Sequence, residues 1–98
     1  MITIYHRTRA DIAESIVATG FQDGHGYFMT NIHHGGVWFS DRPLDSNEGA
    51  FGDTLICVRV DEREIERFEW IEEGKPYREW LIPARIVNTL GPITIHGA

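Results

Sequence analysis

The stretch Gly36-Val37-Trp38-Phe39-Ser40-Asp41 decides how the rest of the chain is read. It is a short apolar, aromatic run between the glycine pair Gly35-Gly36 and a turn-like Arg42-Pro43. That pattern predicts a buried strand with a polar tip at Ser40 and Asp41, where the chain leaves a sheet. One strand and one helix precede it, and further strands able to line up beside it follow.

Outward from this stretch, Ile2-Thr3-Ile4-Tyr5-His6 alternates and is β-branched, which predicts a first strand. Ile2, Ile4 and His6 share one face of it, and Thr3, Tyr5 and Arg7 the other. Thr8 and Asp11 have capping-box spacing, with Asp in place of Glu, ahead of a helix over 9–19. Ile12, Ala13, Ile16 and Val17 form its apolar stripe, Gly20 is a left-handed stop, and Phe21 packs back over the last turn. Turn chemistry dominates 22–36, with a short strand at Tyr27–Thr30, and a helical turn is expected at 45–50.

Beyond it, Thr54–Val60 is apolar on both faces and predicts a central strand. Asp61 and Glu64 have capping-box spacing before a helical turn carrying Ile65. Two strands, 68–72 and 77–82, flank Glu73-Gly74-Lys75-Pro76 as a hairpin, with Tyr77, Glu79 and Leu81 on one face and Arg78, Trp80 and Ile82 on the other. Pro83 opens a helical turn, Gly91-Pro92 breaks the chain, and Ile93–His96 is a last strand. The expected architecture is a single α+β domain over 1–98. Its main N-terminal helix lies against a small, curved, mixed or antiparallel sheet.

Composition narrows the function classes. No apolar run approaches the ~20 residues of a membrane helix, and the N-terminus lacks a signal-peptide pattern. A single cysteine, Cys57, excludes an internal disulfide framework, so the chain reads as cytoplasmic. The net charge of −6 disfavours nucleic acid as a partner, since that binding relies on neutralising phosphates. It leaves room for a local arginine-lined pocket for a phosphorylated small molecule. The five histidines show neither HExxH nor a Cys/His ligand spacing, and no metal site is expected.

Glu79 stands out as a carboxylate in an aromatic and apolar strand. It is preceded in the chain by a histidine closing the first strand and by the Gly-aromatic-Ser run. This order resembles the ADP-ribosyltransferase superfamily of the His, aromatic, Glu type. Tyr5-His6-Arg7-Thr8 is similar to its His-Gly-Thr-like motif. Gly36–Ser40, followed by Ser46–Ala50, is similar to its aromatic strand and small-residue segment. Glu79-Trp80-Leu81-Ile82-Pro83 is similar to its Glu strand. Arg7 stands where the family has Gly, and Trp38 where it has Tyr.

The resemblance implies a split β-sandwich, NAD as substrate, and ADP-ribose transfer to an acceptor, either protein or small molecule, or to water. Its runner-up is a non-catalytic nucleotide- or protein-binding module on the same fold. Glu79 would be catalytic, its carboxylate bonding a ribose hydroxyl and stabilising an oxocarbenium-like transition state. His6 would bond the other ribose, and Arg7 or another arginine the pyrophosphate. Trp38 would stack on nicotinamide, with Tyr5, Tyr27 or Phe51 as a second wall. Ser40 would bond the nicotinamide amide or brace Glu79. Thr8 and Phe39 complete the expected binding set. The reading requires His6, Trp38 and Glu79 to converge on one cleft.

Overall fold

Six strands make one sheet in the computed structural model, which describes residues 1–22, 36–43 and 52–96. In chain order they are β1 (Ile2–Thr8), β2 (Val37–Ser40), β3 (Thr54–Val60), β4 (Glu69–Trp70), β5 (Glu79–Ile82) and β6 (Ile93–Ile95). Among the described residues three helices accompany them: α1 (Ala10–Thr19), α2 (Glu62–Ile65), which runs into a 3-10 turn at Glu66–Phe68, and α3 (Ala84–Val87). The strand order is β4-β5-β2-β1-β3-β6, and every pairing is antiparallel. The domain is therefore α+β as expected. The described strands form one continuous sheet rather than a split pair, and the mixed pairing allowed by the sequence is not used. The strand expected at Tyr27–Thr30 and the helical turn at 45–50 lie outside the described residues. Among the described residues, no helix is long and apolar enough to cross a membrane.

The sheet consists of two three-stranded halves, β4-β5-β2 and β1-β3-β6, that meet where β1 lies beside β2. The seam is thin. β1 and β3 pair over seven residues, whereas β1 and β2 share one register pair, Tyr5 with Ser40. Fewer ladder hydrogen bonds leave this junction dependent on packing. The packing is on one face: Ile4, Val37, Phe39, Ile56, Val58, Val60, Trp80 and Ile82 bury together against Ala13 and Ile16 of α1, Ile65, Ala84 and Val87. Strand alternation accounts for this set, because Ile2, Ile4 and His6 lie opposite Val60, Val58 and Ile56.

Helix α1 buries Ala13 and Ile16 but leaves Ile12 and Val17 exposed, so its buried stripe is narrower than the sequence predicts. The reason is where it docks: it covers β3 and β6 near one edge of the sheet, and only its innermost ridge meets the core. The expected Thr8 cap is also corrected. Thr8 is paired with Thr54 as the end of β1, Arg9 takes the N-cap position without a side-chain bond, and Asp11 pairs with Arg9. Gly20 ends the helix as read, at φ +92 with its N–H on the Ile16 carbonyl. At Asp61 the predicted cap is present, its carboxylate accepting from the Arg63 N–H.

The hairpin strands are shorter than expected, yet they keep the register implied by the turn, with Glu69 opposite Trp80 and Trp70 opposite Glu79. Arg78 fastens them by donating to both Glu69 oxygens and to Glu62 of α2. Asn88, just past α3, clamps the chain after α1. Its amide donates to the Phe21 carbonyl at 3.0 Å and its carbonyl accepts the Phe21 N–H at 2.8 Å. Replacing Asn88 with Ala orphans both groups and is expected to cost about 1–3 kcal/mol in urea unfolding, with the m-value unchanged.

Candidate active site

Register divides the expected site residues between two faces. Trp38 lies opposite Leu81, and Ser40 opposite Glu79 on one side and Tyr5 on the other. Trp70 lies opposite Glu79 from the far side. Tyr5, Trp38, Ser40, Trp70, Glu79 and Leu81 thus project from one face, away from the main core. His6 and Phe39 project from the other, where Phe39 is buried and packs at 5.2 Å, ring to ring, on Phe21.

On the first face the Trp38 and Trp70 indoles meet edge to face above β5, centroids 5.5 Å apart. Glu79 emerges beside them with its side chain only 15% exposed. Its Oε2 accepts a hydrogen bond from Lys75 Nζ at 2.9 Å, and Lys75 also pairs with Glu72 at 3.2 Å. The hydrogen bond to the Glu79 carboxylate raises the Lys75 pKa well above the ordinary lysine range, outweighing the opposing effect of burial, and Glu72 adds to the rise. A sheltered carboxylate against aromatic faces suits a sugar or nucleotide ring. The aromatic surfaces supply contact area, and the carboxylate accepts from hydroxyls or meets developing positive charge.

His6 does not share this face, so the expected convergence of His6, Trp38 and Glu79 side chains is corrected. Its ring lies against Phe21 and Phe39 on the helix-covered side, and Nδ1 donates to the Trp38 carbonyl at 2.8 Å. That bond fixes the Nδ1–H tautomer and adds a second tie across the thin β1–β2 seam. Burial lowers the His6 pKa from its ordinary value of 6.5, against the smaller opposing effect of that hydrogen bond.

Two further expectations change. Phe39 is 2% exposed in the core and offers no surface to a ligand. Ser40 neighbours Glu79, but its hydroxyl donates to the Arg42 carbonyl at 2.6 Å and braces the strand end, so it makes no bond to the carboxylate. Arg7 is on the Tyr5 face, where Nη1 donates to the Gly52 carbonyl at 3.3 Å. Thr8 ends β1, and Tyr5 meets His96 edge on. Phe51 and Tyr27 lie outside the described residues. Cys57 sits 3.2 Å from the Thr94 hydroxyl. Among the described residues no cluster of three His, Cys, Asp or Glu side chains has metal-binding geometry.

Lys75 and Trp70 were not anticipated. The available signal was the hairpin register, which sets Trp70 across from Glu79, together with Lys75 being the one lysine of the chain and only four residues from Glu79.

The His6 environment has a pH signature. The folded state keeps a neutral imidazole where the unfolded chain takes up a proton, so its pKa is lower folded than unfolded. The corresponding stability is complete above pH ~6.5 and is lost as pH falls from there toward the lowered folded value. Between pH ~6.5 and ~5, above the titration of ordinary carboxylates, unfolding free energy should decline by up to about 1.4 kcal/mol per pH unit. Urea unfolding across that range should show a flatter dependence for His6→Gln. No family model, curated protein or solved structure matches the chain.

Proposed function

We propose that this chain binds NAD on the Trp38–Glu79 face and transfers its ADP-ribose to an acceptor or to water, on an ADP-ribosyltransferase-like fold. One observation carries the reading. The three strands bearing the family-like motifs are far apart in sequence but consecutive in the sheet, in the order β5-β2-β1. Adjacency brings the Glu79 carboxylate beside the aromatic strand, with Trp38 and Trp70 as walls.

The chemistry follows from those groups. The bond between ribose C1 and the pyridinium nitrogen breaks, and its electron pair leaves with neutral nicotinamide. Positive charge develops on C1 and the ring oxygen, and Glu79, accepting from the ribose 2-hydroxyl, stabilises it. The acceptor oxygen or nitrogen then forms the new bond to C1 and releases its proton to solvent. Trp38 stacks on the leaving nicotinamide, and Arg7, on the same face, is the arginine nearest in sequence to the family-like motif for meeting the pyrophosphate. The convergence of His6 with Trp38 and Glu79 that the family pattern requires is not met: His6 acts from behind, holding the Trp38 backbone rather than a ribose, so the reading rests on Glu79 and Trp38.

The non-catalytic reading, a nucleotide- or protein-binding module on the same fold, is favoured by two observations: Lys75 already engages Glu79, and His6 is turned to the opposite face. Turnover separates the two. Nicotinamide release from NAD should fall at least about 100-fold in Glu79→Gln, with the thermal melt of the protein retained. NAD binding by the wild type without nicotinamide release, and unchanged in Glu79→Gln, selects the binding module. In either case Trp38→Ala should weaken NAD binding, by about 1 kcal/mol or more in a titration, because a stacking face is lost.

A further inference from the structure

Lys75 is hydrogen-bonded to Glu79, and neither the motif resemblance nor the expected mechanism gives it a task. It is held from three sides. Nζ lies 2.9 Å from Glu79 Oε2, 3.2 Å from Glu72 Oε2 and 5.4 Å from the Tyr77 ring centroid. The turn that delivers it has Gly74 at φ +85, a conformation other residues rarely adopt, with open space around the α-carbon. The turn geometry, rather than packing, therefore sets where Lys75 begins. Its side chain is 28% exposed and that of Glu79 15%, so this is a sheltered pair and not a solvated surface contact.

We propose that Lys75 is a positioning residue for the proposed NAD cleavage: it holds one oxygen of Glu79 so that the other is fixed for the ribose hydroxyl. A glutamate has three rotatable bonds, and a carboxylate free to turn meets a hydroxyl in the productive geometry only part of the time. Fixing Oε2 by a charge-assisted hydrogen bond removes that freedom while leaving Oε1 its lone pairs. The ammonium charge opposes a developing cation, but Glu72 offsets it. Glu72, Lys75 and Glu79 together carry one net negative charge, and the site stays favourable to positive charge. Lys75 remains an ammonium throughout the neutral range, since Glu79 raises its pKa.

This inference rests on the proposed activity, and the experiment separates the two. Nicotinamide release from NAD is measured for the wild type, Lys75→Met, Lys75→Arg, Glu79→Gln and the Lys75→Met/Glu79→Gln pair, each checked by its melting curve. In Lys75→Met, kcat should fall about 10-fold or more while KM for NAD shifts less than about 3-fold. Lys75→Arg, which keeps the charge and a donor, should recover most of the loss. In the Glu79→Gln background the second substitution should have no further effect, because the group it positions has lost its charge. Wild-type kcat in Lys75→Met, a rise in kcat, a loss confined to KM, or an equal loss in the Glu79→Gln background overturns the assignment of Lys75 while leaving the activity intact. Absence of nicotinamide release from the wild type overturns the activity and the role of Lys75 with it.

Discussion

The junction between β1 and β2 is the constraint on which the rest of this structure depends. Each half of the sheet is well paired internally, β1 with β3 over seven residues and β2 with β5 over four. Between the halves there is one register pair, Tyr5 with Ser40, and a side-chain bond from His6 to the Trp38 carbonyl. A sheet this thin at its centre holds together because its covered face is continuous. Ile4 on one side and Phe39 on the other are both buried in the same core as Trp80 and Ile56. Burying that much apolar surface contributes far more than the missing ladder bonds would. The same junction decides the layout of the candidate site, since everything projecting from β2 inherits the register set at Tyr5 and Ser40.

Charge is organised around the short β4–β5 hairpin. Two cations sit in it, and each lies between two carboxylates: Lys75 between Glu72 and Glu79, Arg78 between Glu69 and Glu62. Arg78 also stacks on Trp80, at 4.9 Å from the ring, where the backbone passes from the exposed turn to the buried strand. A two-residue strand such as β4 has little ladder energy of its own. Bidentate pairing to Glu69 gives the arginine a directional hold that a lysine could not supply. The result is a hairpin whose exposed end is fixed electrostatically and whose buried end is fixed by packing, with Glu79 at the transition between the two.

His6 shows how one bond changes the meaning of a residue. A histidine closing the first strand beside an aromatic strand and a late glutamate reads naturally as a ligand-binding group. In the fold its ring faces Phe21 and Phe39, and its polar contact is a backbone carbonyl. Alternation along β1 already put His6 with Ile2 and Ile4 and opposite Tyr5. What alternation along one strand leaves open is which of the two faces the helices cover.

Much of this protein was legible from local pattern. Period-two alternation marks β1 and β6, a run apolar on both faces marks β3, the Gly-aromatic-Ser run marks β2, and Gly20 and Asp61 mark a helix end and a helix start, because these signals arise within a few residues of backbone. The hairpin register was legible too, since the length of the turn determines which residues face each other. Other features depended on residues distant in the chain. The narrow buried ridge of α1 follows from docking near the sheet edge at β3 and β6. The burial of Phe39 and the turning of Ser40 toward Arg42 follow from which face the core occupies. The neighbouring of β1, β2 and β5 is a pairing among segments more than thirty residues apart. Such pairings are selected by the combined burial of one face of the whole sheet, a quantity no single stretch contains. The run Gly36–Asp41 thus announces a strand by itself, but only the assembled sheet puts Trp38 on the Glu79 face and Phe39 in the core.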